Sequence, residues 1–404
     1  MNIREIENLI VEKLQQNFSD FQVIGFPEKP QEYILLHPIG AILVHYRGGS
    51  YSSTNSINFL SQDKKMEFGV TVVTRNLRSN SGSYETLDKI KNVLSVADVT
   101  KADIIGGVDS VTGKRKGLQT FKDCYSLFGY FPKTIIAPVY CEDTAVVSEM
   151  QVICDKIRAI GIVDAPVGTT VQDVIKGRGP QGTINFNTSS DRIVLCYPHL
   201  KVYDSSSDSN VLEPYSQRLA GVMAAKDVDK GYHWSPSNTE IKGIIGVEKQ
   251  LTSMINDPTS EVNTLNEAGI VTVFNSYGTG FKTWGNRSAA YPTSTNVTNF
   301  INIRRTADIL HESVEYSMLQ FIDYPIDNGL IESITETVNS FIRTLIGRGA
   351  LIDGKCTYNA DKNPVTEIAN GHILFDVEFM PPVPAERITF ESFIDIELLK
   401  SLGA

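Results

Sequence analysis

Apolar residues Ile3, Ile6, Ile10 and Leu14 recur at spacings of three and four, which predicts an amphipathic helix over residues 3–17. A short strand stops at Gly25 and Pro27, and residues 34–36, 41–46 and 66–73 are rich in β-branched side chains and fit further strands. Leu87, Ile90, Val93 and Leu94 then share one face of a helix over 84–96. This pattern describes an α+β domain of residues 1–112. The glycine- and lysine-rich stretch 113–117 reads as an exposed loop at its boundary.

From Leu118 onward, helical and short apolar segments alternate. Helices are predicted over 121–128, 146–159, 171–176 and 215–226, and strands over 134–138, 161–164, 183–186, 192–197 and 270–274. Such an order predicts a mainly parallel α/β sheet covered on both faces, here within a central domain of residues 116–300. A last α+β domain, residues 301–404, follows the apolar strand expected at 300–303. In it Leu310, Val314, Met318 and Phe321 define one helix, and a second runs over 330–346 to Gly347. Strands at 372–379 and 387–394 flank a proline hinge at 381–384. The second strand, carrying Arg387, Ile388, Thr389, Phe390, Phe393 and Ile394, lies where a neighbouring chain can pair with it.

At 404 residues the chain is long enough for two or three domains, and 41% hydrophobic with 21% charged residues is ordinary for a folded protein. A net charge of −10 argues against sequence-independent nucleic-acid binding, which needs a basic surface. The five cysteines are odd in number, lack metal-ligand spacing and read as buried cytosolic thiols. The start lacks an apolar signal core and no run of about 18 apolar residues occurs, so neither secretion by that route nor membrane insertion is expected.

The candidate chemistry is thin. Residues 177–182 match G-x-G-x-x-G, but they follow a predicted helix and precede a strand, the reverse of a dinucleotide site. Asp164 and His199 lie near strand ends, yet no serine occupies a nucleophile turn. No histidine pair has metal-binding spacing, so no catalytic residue, cofactor or metal is expected. Arg304 and Arg305 follow an apolar segment and fit either internal ion pairs or contacts between subunits. Arg343 and Arg348 end a helix, where they fit either docking to a partner or capping of the helix dipole.

An ordered set of segments carries a family resemblance: GYFPK at 129–133, RAIGIVDAP at 158–166, GYHWSPSN at 231–238, NEAGI at 266–270, WGNR at 284–287, FINIRR at 300–305 and PVPAERI at 382–388. Together they resemble the contractile tail sheath proteins of bacteriophages and related injection machines, from about Lys116 to the C-terminus. The resemblance implies a central domain that is subtilisin-like but not catalytic. It also implies hexameric rings stacked helically around a tail tube, which contract to drive the tube through a cell envelope without a nucleotide. Terminal arms would add strands to neighbouring sheets, with the tube, baseplate and tail terminator as further partners. The place would be the tail of a virion or phage-like particle, assembled in the bacterial cytoplasm. The N-terminal domain departs from this pattern and is similar to tail-completion or terminator-type proteins of Mu-like phages. A sheath-end protein is therefore the alternative, and an α/β hydrolase the third.

Overall fold

The computed structural model describes residues 3–19, 21–25, 40–51, 64–74 and 99–402, apart from 111, 206, 207, 255 and 277–279. The chain forms two compact units, Met1–Val99 and Thr100–Ala404.

In the first unit, helix Ile3–Asn17 follows the predicted spacing. Strand Gln22–Gly25 pairs in parallel with Gly40–Tyr51, which pairs antiparallel with Lys64–Thr74. Leu14, Phe18, Val23, Ile42 and Val44 form the core between helix and sheet. The helix predicted at 84–96 and the strand at 34–36 lie outside the described residues.

The second unit begins before the boundary expected from sequence. Residues 113–117 belong to a hairpin of Gly107–Val108 and Arg115–Lys116. The glycines beside it serve close backbone approach: a Cβ on Gly106 would lie 1.8 Å from the Lys116 carbonyl oxygen, and one on Gly117 would lie 2.4 Å from that of Asp103. The stretch 113–116 is exposed, as expected, but it belongs to a hairpin within the second unit.

The main sheet has the order Gly280–Trp284, Ile270–Ser276, Ile193–Cys196, Ile160–Asp164, Thr134–Ile136. The last four strands are parallel, and Gly280–Trp284 closes one side as an antiparallel hairpin. Alternation along the strands feeds two cores. Val163, Ile193, Leu195 and Ile270 face helix Thr144–Ile157, whereas Ile160, Ile162, Val194 and Val271 face helix Tyr215–Asp229. Gly161 is required on the first face, since a Cβ there would lie 2.7 Å from Ile193 Cδ1 and 3.2 Å from Cys154 Sγ. The expected α/β layer is thus present, although residues 183–186 form turns and no strand.

A third core joins helices Ile301–Met318 and Asn328–Gly347 to the two-stranded sheet Asp353–Tyr358 and Phe375–Met380. Leu330, Ile334, Val338, Ile342 and Leu345 make the buried stripe of the longer helix, whose N-terminus is capped by Asp327 accepting from the Leu330 N–H. Residues 300–303 are not a strand. Phe300 is the N-cap of the first helix, which opens with Ile301 and Ile303 in the core. Residues 387–394 are likewise not a strand: they take no regular secondary structure and pair with no strand among the described residues.

Candidate subunit interface

The small C-terminal sheet is asymmetric at its edges. On the Asp353–Tyr358 side, the Asn339 side chain takes both main-chain groups of Cys356: Oδ1 accepts the Cys356 N–H at 2.7 Å, and Nδ2 donates to its carbonyl at 3.0 Å. That edge is closed at its middle. Strand Phe375–Met380 pairs only with Asp353–Tyr358 among the described strands, so its outer edge is open to an added strand. One face of the sheet is apolar through Phe375, Val377 and Phe379, and the other carries the pairs Lys355 with Glu378 and Lys362 with Asp376.

After Met380 the chain runs through the proline hinge and is tied down at Glu386. Arg287 grips this carboxylate with Nε at 3.0 Å and a terminal nitrogen at 2.7 Å, while its guanidinium stacks on Phe300 at 3.5 Å. Beyond Glu386 the tail makes only local hydrogen bonds, such as Glu397 N–H to Asp395. Ile388, Phe390, Phe393, Ile394, Ile396, Leu398, Leu399 and Leu402 are all more than 60% exposed. This many large apolar side chains exposed within one short segment, interspersed with polar ones, fit a surface that contacts another molecule.

The four arginines singled out in the sequence separate. Arg305 is buried and grips Asp227 through two nitrogens, and Arg304 reaches Asp191 at 3.1 Å. Both thus have ion-pair partners within this chain. Arg343 is exposed and pairs with Glu336 on the same helix. Arg348 caps that helix and lines a cleft with Trp234 and Trp284. Sequence reasoning missed Arg192, Asn339 and the Arg287–Glu386 pair, because each partner is remote in the chain. Arg287 and Glu386 do lie inside quoted segments, and that was their only signal.

The enzyme-like positions also resolve. Asp164 ends its strand and accepts the Ser216 N–H at 2.7 Å, so its carboxylate caps helix Tyr215–Asp229. Burial pushes its pKa up, against the lowering effect of the Ser216 bonds. His199 is buried between Glu142, 3.6 Å away, and Glu248, 3.7 Å away. The Cys141 thiol also donates to the Asp164 carboxylate at 3.6 Å, with both groups fully buried. In the loop at 177–182 the Gly179 N–H donates to Phe186 and that of Gly182 to Gly179, so these donors are turned inward. Burial drives the Cys154 thiol to about 12 and raises those of Cys141 and Cys196, which keeps them protonated and unreactive. Among the described residues, no acidic, histidine or cysteine cluster fits a metal and no helix is long and apolar enough to cross a membrane.

Comparison with known proteins places these features. The phage tail sheath central-domain model matches residues 99–289, the phage tail sheath C-terminal-domain model residues 293–395, and a model described as Gp37 protein residues 10–121. The tail sheath protein of Burkholderia phage BcepMu is 52% identical over 304 residues, 75% of this chain and 64% of that protein. The chain thus spans less than two thirds of that relative. A putative prophage major tail sheath protein of Pseudomonas aeruginosa is 31% identical over 287 residues, 71% of each. Among solved structures, the PVC sheath of an extracellular contractile injection system in its contracted state has a TM-score of 0.57 at 18% identity, covering 70% of this chain and 76% of that one. The helical sheath of the anti-feeding prophage, also contracted, scores 0.56 at 19% identity, covering 72% and 76%. Two family models in the order central then C-terminal, and relatives 52% and 31% identical, show that the chain belongs to the phage tail sheath protein family.

Proposed function

We propose that this chain is a structural subunit of a contractile tail sheath, assembling as stacked rings around a tail tube and carrying no catalytic activity. The observation that supports it best is the match of an open sheet edge at Phe375–Met380 with a tail that leaves eight large apolar side chains exposed. In this reading, residues 387–394 of one copy pair with the open edge of another. A strand adding about six bonds at a net 0.5–1.5 kcal/mol each contributes roughly 3–9 kcal/mol before ordering costs, weak singly and strong in a lattice. Arg343, on the exposed side of the long helix, is the proposed contact with an acidic tube surface. The baseplate and a terminator protein complete the partners, in a virion tail built in the host cytoplasm.

The test is removal of residues 387–404 followed by electron microscopy and sedimentation. A folded monomer that forms no rings or tubes is the expected result, and normal polymers from the truncated chain would refute strand exchange. A second reading is a sheath-end protein, supported by the separate first unit, Met1–Val99, ahead of the sheath-like part. It requires that the full chain cap preformed sheath and not elongate into tubes by itself.

A further inference from the structure

We propose that the cleft walled by Trp234 and Trp284 receives the acidic end of the tail, residues 395–402, from a second copy of this chain. This rests on the sheath reading and adds a second docking point to it.

The cleft encloses about 650 Å³, and its lining includes His233, Asn286 and Arg348 besides the two tryptophans. Its polar groups are prepared for a partner. Asn286 is 2% exposed and donates to Asn302, yet its Oδ1 receives no hydrogen bond from the described residues, and the buried His233 Nδ1 is also unpartnered. Buried acceptors left in this way cost stability until donors arrive, and the N–H groups of a peptide are such donors.

Charge selects the peptide. Arg348 and Lys226 both line the cleft, and among the described residues neither has a carboxylate within ion-pair distance. The carboxylate in the lining, Glu386, is engaged by Arg287. The cleft is therefore cationic in a chain of net charge −10. In the tail, Asp395 and Glu397 flank Ile396 ahead of Leu398 and Leu399, with the three apolar side chains 63–73% exposed. Asp395 offers a carboxylate for Arg348, Glu397 would exchange its own-tail partner Lys400 for Lys226, and the apolar groups between them face the tryptophans.

Position fits as well. Arg348 and Gly349 lead into strand Asp353–Tyr358, and the 382–386 segment follows strand Phe375–Met380, so the cleft sits at one end of the small sheet. A foreign strand using residues 387–394 on the open edge, in parallel with Phe375–Met380, delivers residues 395–402 to that end, where Met380 lies.

Both tryptophans of the chain line this cleft, so emission excited selectively at tryptophan reports on it. A full-length protein carrying Asp395→Lys and Glu397→Lys, which disables its own tail, is titrated with a synthetic peptide of residues 387–402. The expected result is a saturable change in tryptophan emission, at least ten-fold weaker with Arg348→Glu or Arg348→Gln. A peptide carrying Asp395→Lys and Glu397→Lys should recover binding to the Arg348→Glu protein. No emission change, or equal affinity for the wild-type and both Arg348 variants, overturns the proposal. So does a wild-type emission signal that is independent of protein concentration and lost in the tail variant, since that places a chain's own tail in its cleft. Tube formation by the wild-type is scored separately by electron microscopy: tubes without a peptide response sink the cleft alone, and a peptide response without tubes sinks the sheath reading.

Discussion

Arg192 and Asp308, 116 residues apart, form a two-bonded ion pair at 2.6 and 2.8 Å, with both side chains 5% exposed. The pair ties the start of the central strand Ile193–Cys196 to helix Ile301–Met318, and so joins the main sheet to the C-terminal helices. Burial alone would lower the Arg192 pKa, but the hydrogen bonds and charge of Asp308, with Asp191 and Asp155 nearby, hold it above its ordinary value. Asp308→Ala is expected to cost about 3–5 kcal/mol, because it strands a buried guanidinium, while Arg192→Met with Asp308→Leu should recover most of that loss. Urea denaturation of the single and double variants checks this. Equal losses in all three would show that the pair contributes through packing alone.

The pH dependence has a definite sign. Burial raises the pKa of Asp164 and of Glu142, so the folded state holds these protons more tightly than the unfolded chain. Their contribution is present below the unfolded value of about 4 and is lost as pH rises through the folded values. Asp164→Asn keeps an acceptor for the Ser216 N–H and removes the titration. The stability of the wild-type relative to this variant should therefore fall as pH rises above the unfolded value of about 4 in denaturation curves. A relative stability that climbs over that range contradicts the assignment.

The legibility of this chain in its sequence follows from how local each signal is. Strands buried on both faces, such as Ile193–Cys196, and the 3.6-residue stripe of Asn328–Gly347 are visible because burial writes its own periodicity. Residues 300–303 mislead, since two isoleucines around Asn302 look like an alternating strand. Tertiary bonds decide otherwise: Asn302 Nδ2 donates to the carbonyls of His233 at 3.1 Å and Pro382 at 3.3 Å, and its own carbonyl accepts from Thr306 one turn on. The hairpin at 107–116 misleads in the opposite sense, because glycines needed for close approach have the composition of a linker. The Arg192–Asp308 and Arg287–Glu386 pairs have no local pattern at all.

Asn339 is expected to act as a lock on one edge of the small sheet. Asn339→Ala leaves the Cys356 N–H and carbonyl without partners and should cost about 1–3 kcal/mol. Asn339→Asp retains the acceptor and should fall between the two. If urea denaturation ranks Asn339→Asp below Asn339→Ala, the Cys356 N–H bond is not the important one.

The division at Val99 and Thr100 predicts that residues 100–404 fold without the residues before them. Their thermal unfolding should remain cooperative, with a midpoint within a few degrees of the second unit in the full chain. A broad, non-cooperative transition for this fragment would show that the first unit supplies part of its core. Circular dichroism of residues 1–99 tests the converse.

Gly106 and Gly117 meet main chain to main chain, without side-chain complementarity, at the point where the sheath-like part of the sequence begins. A contact of that kind depends on glycine alone: a side chain at either position would have to displace backbone, while the exposed residues 113–116 between them can change without touching it.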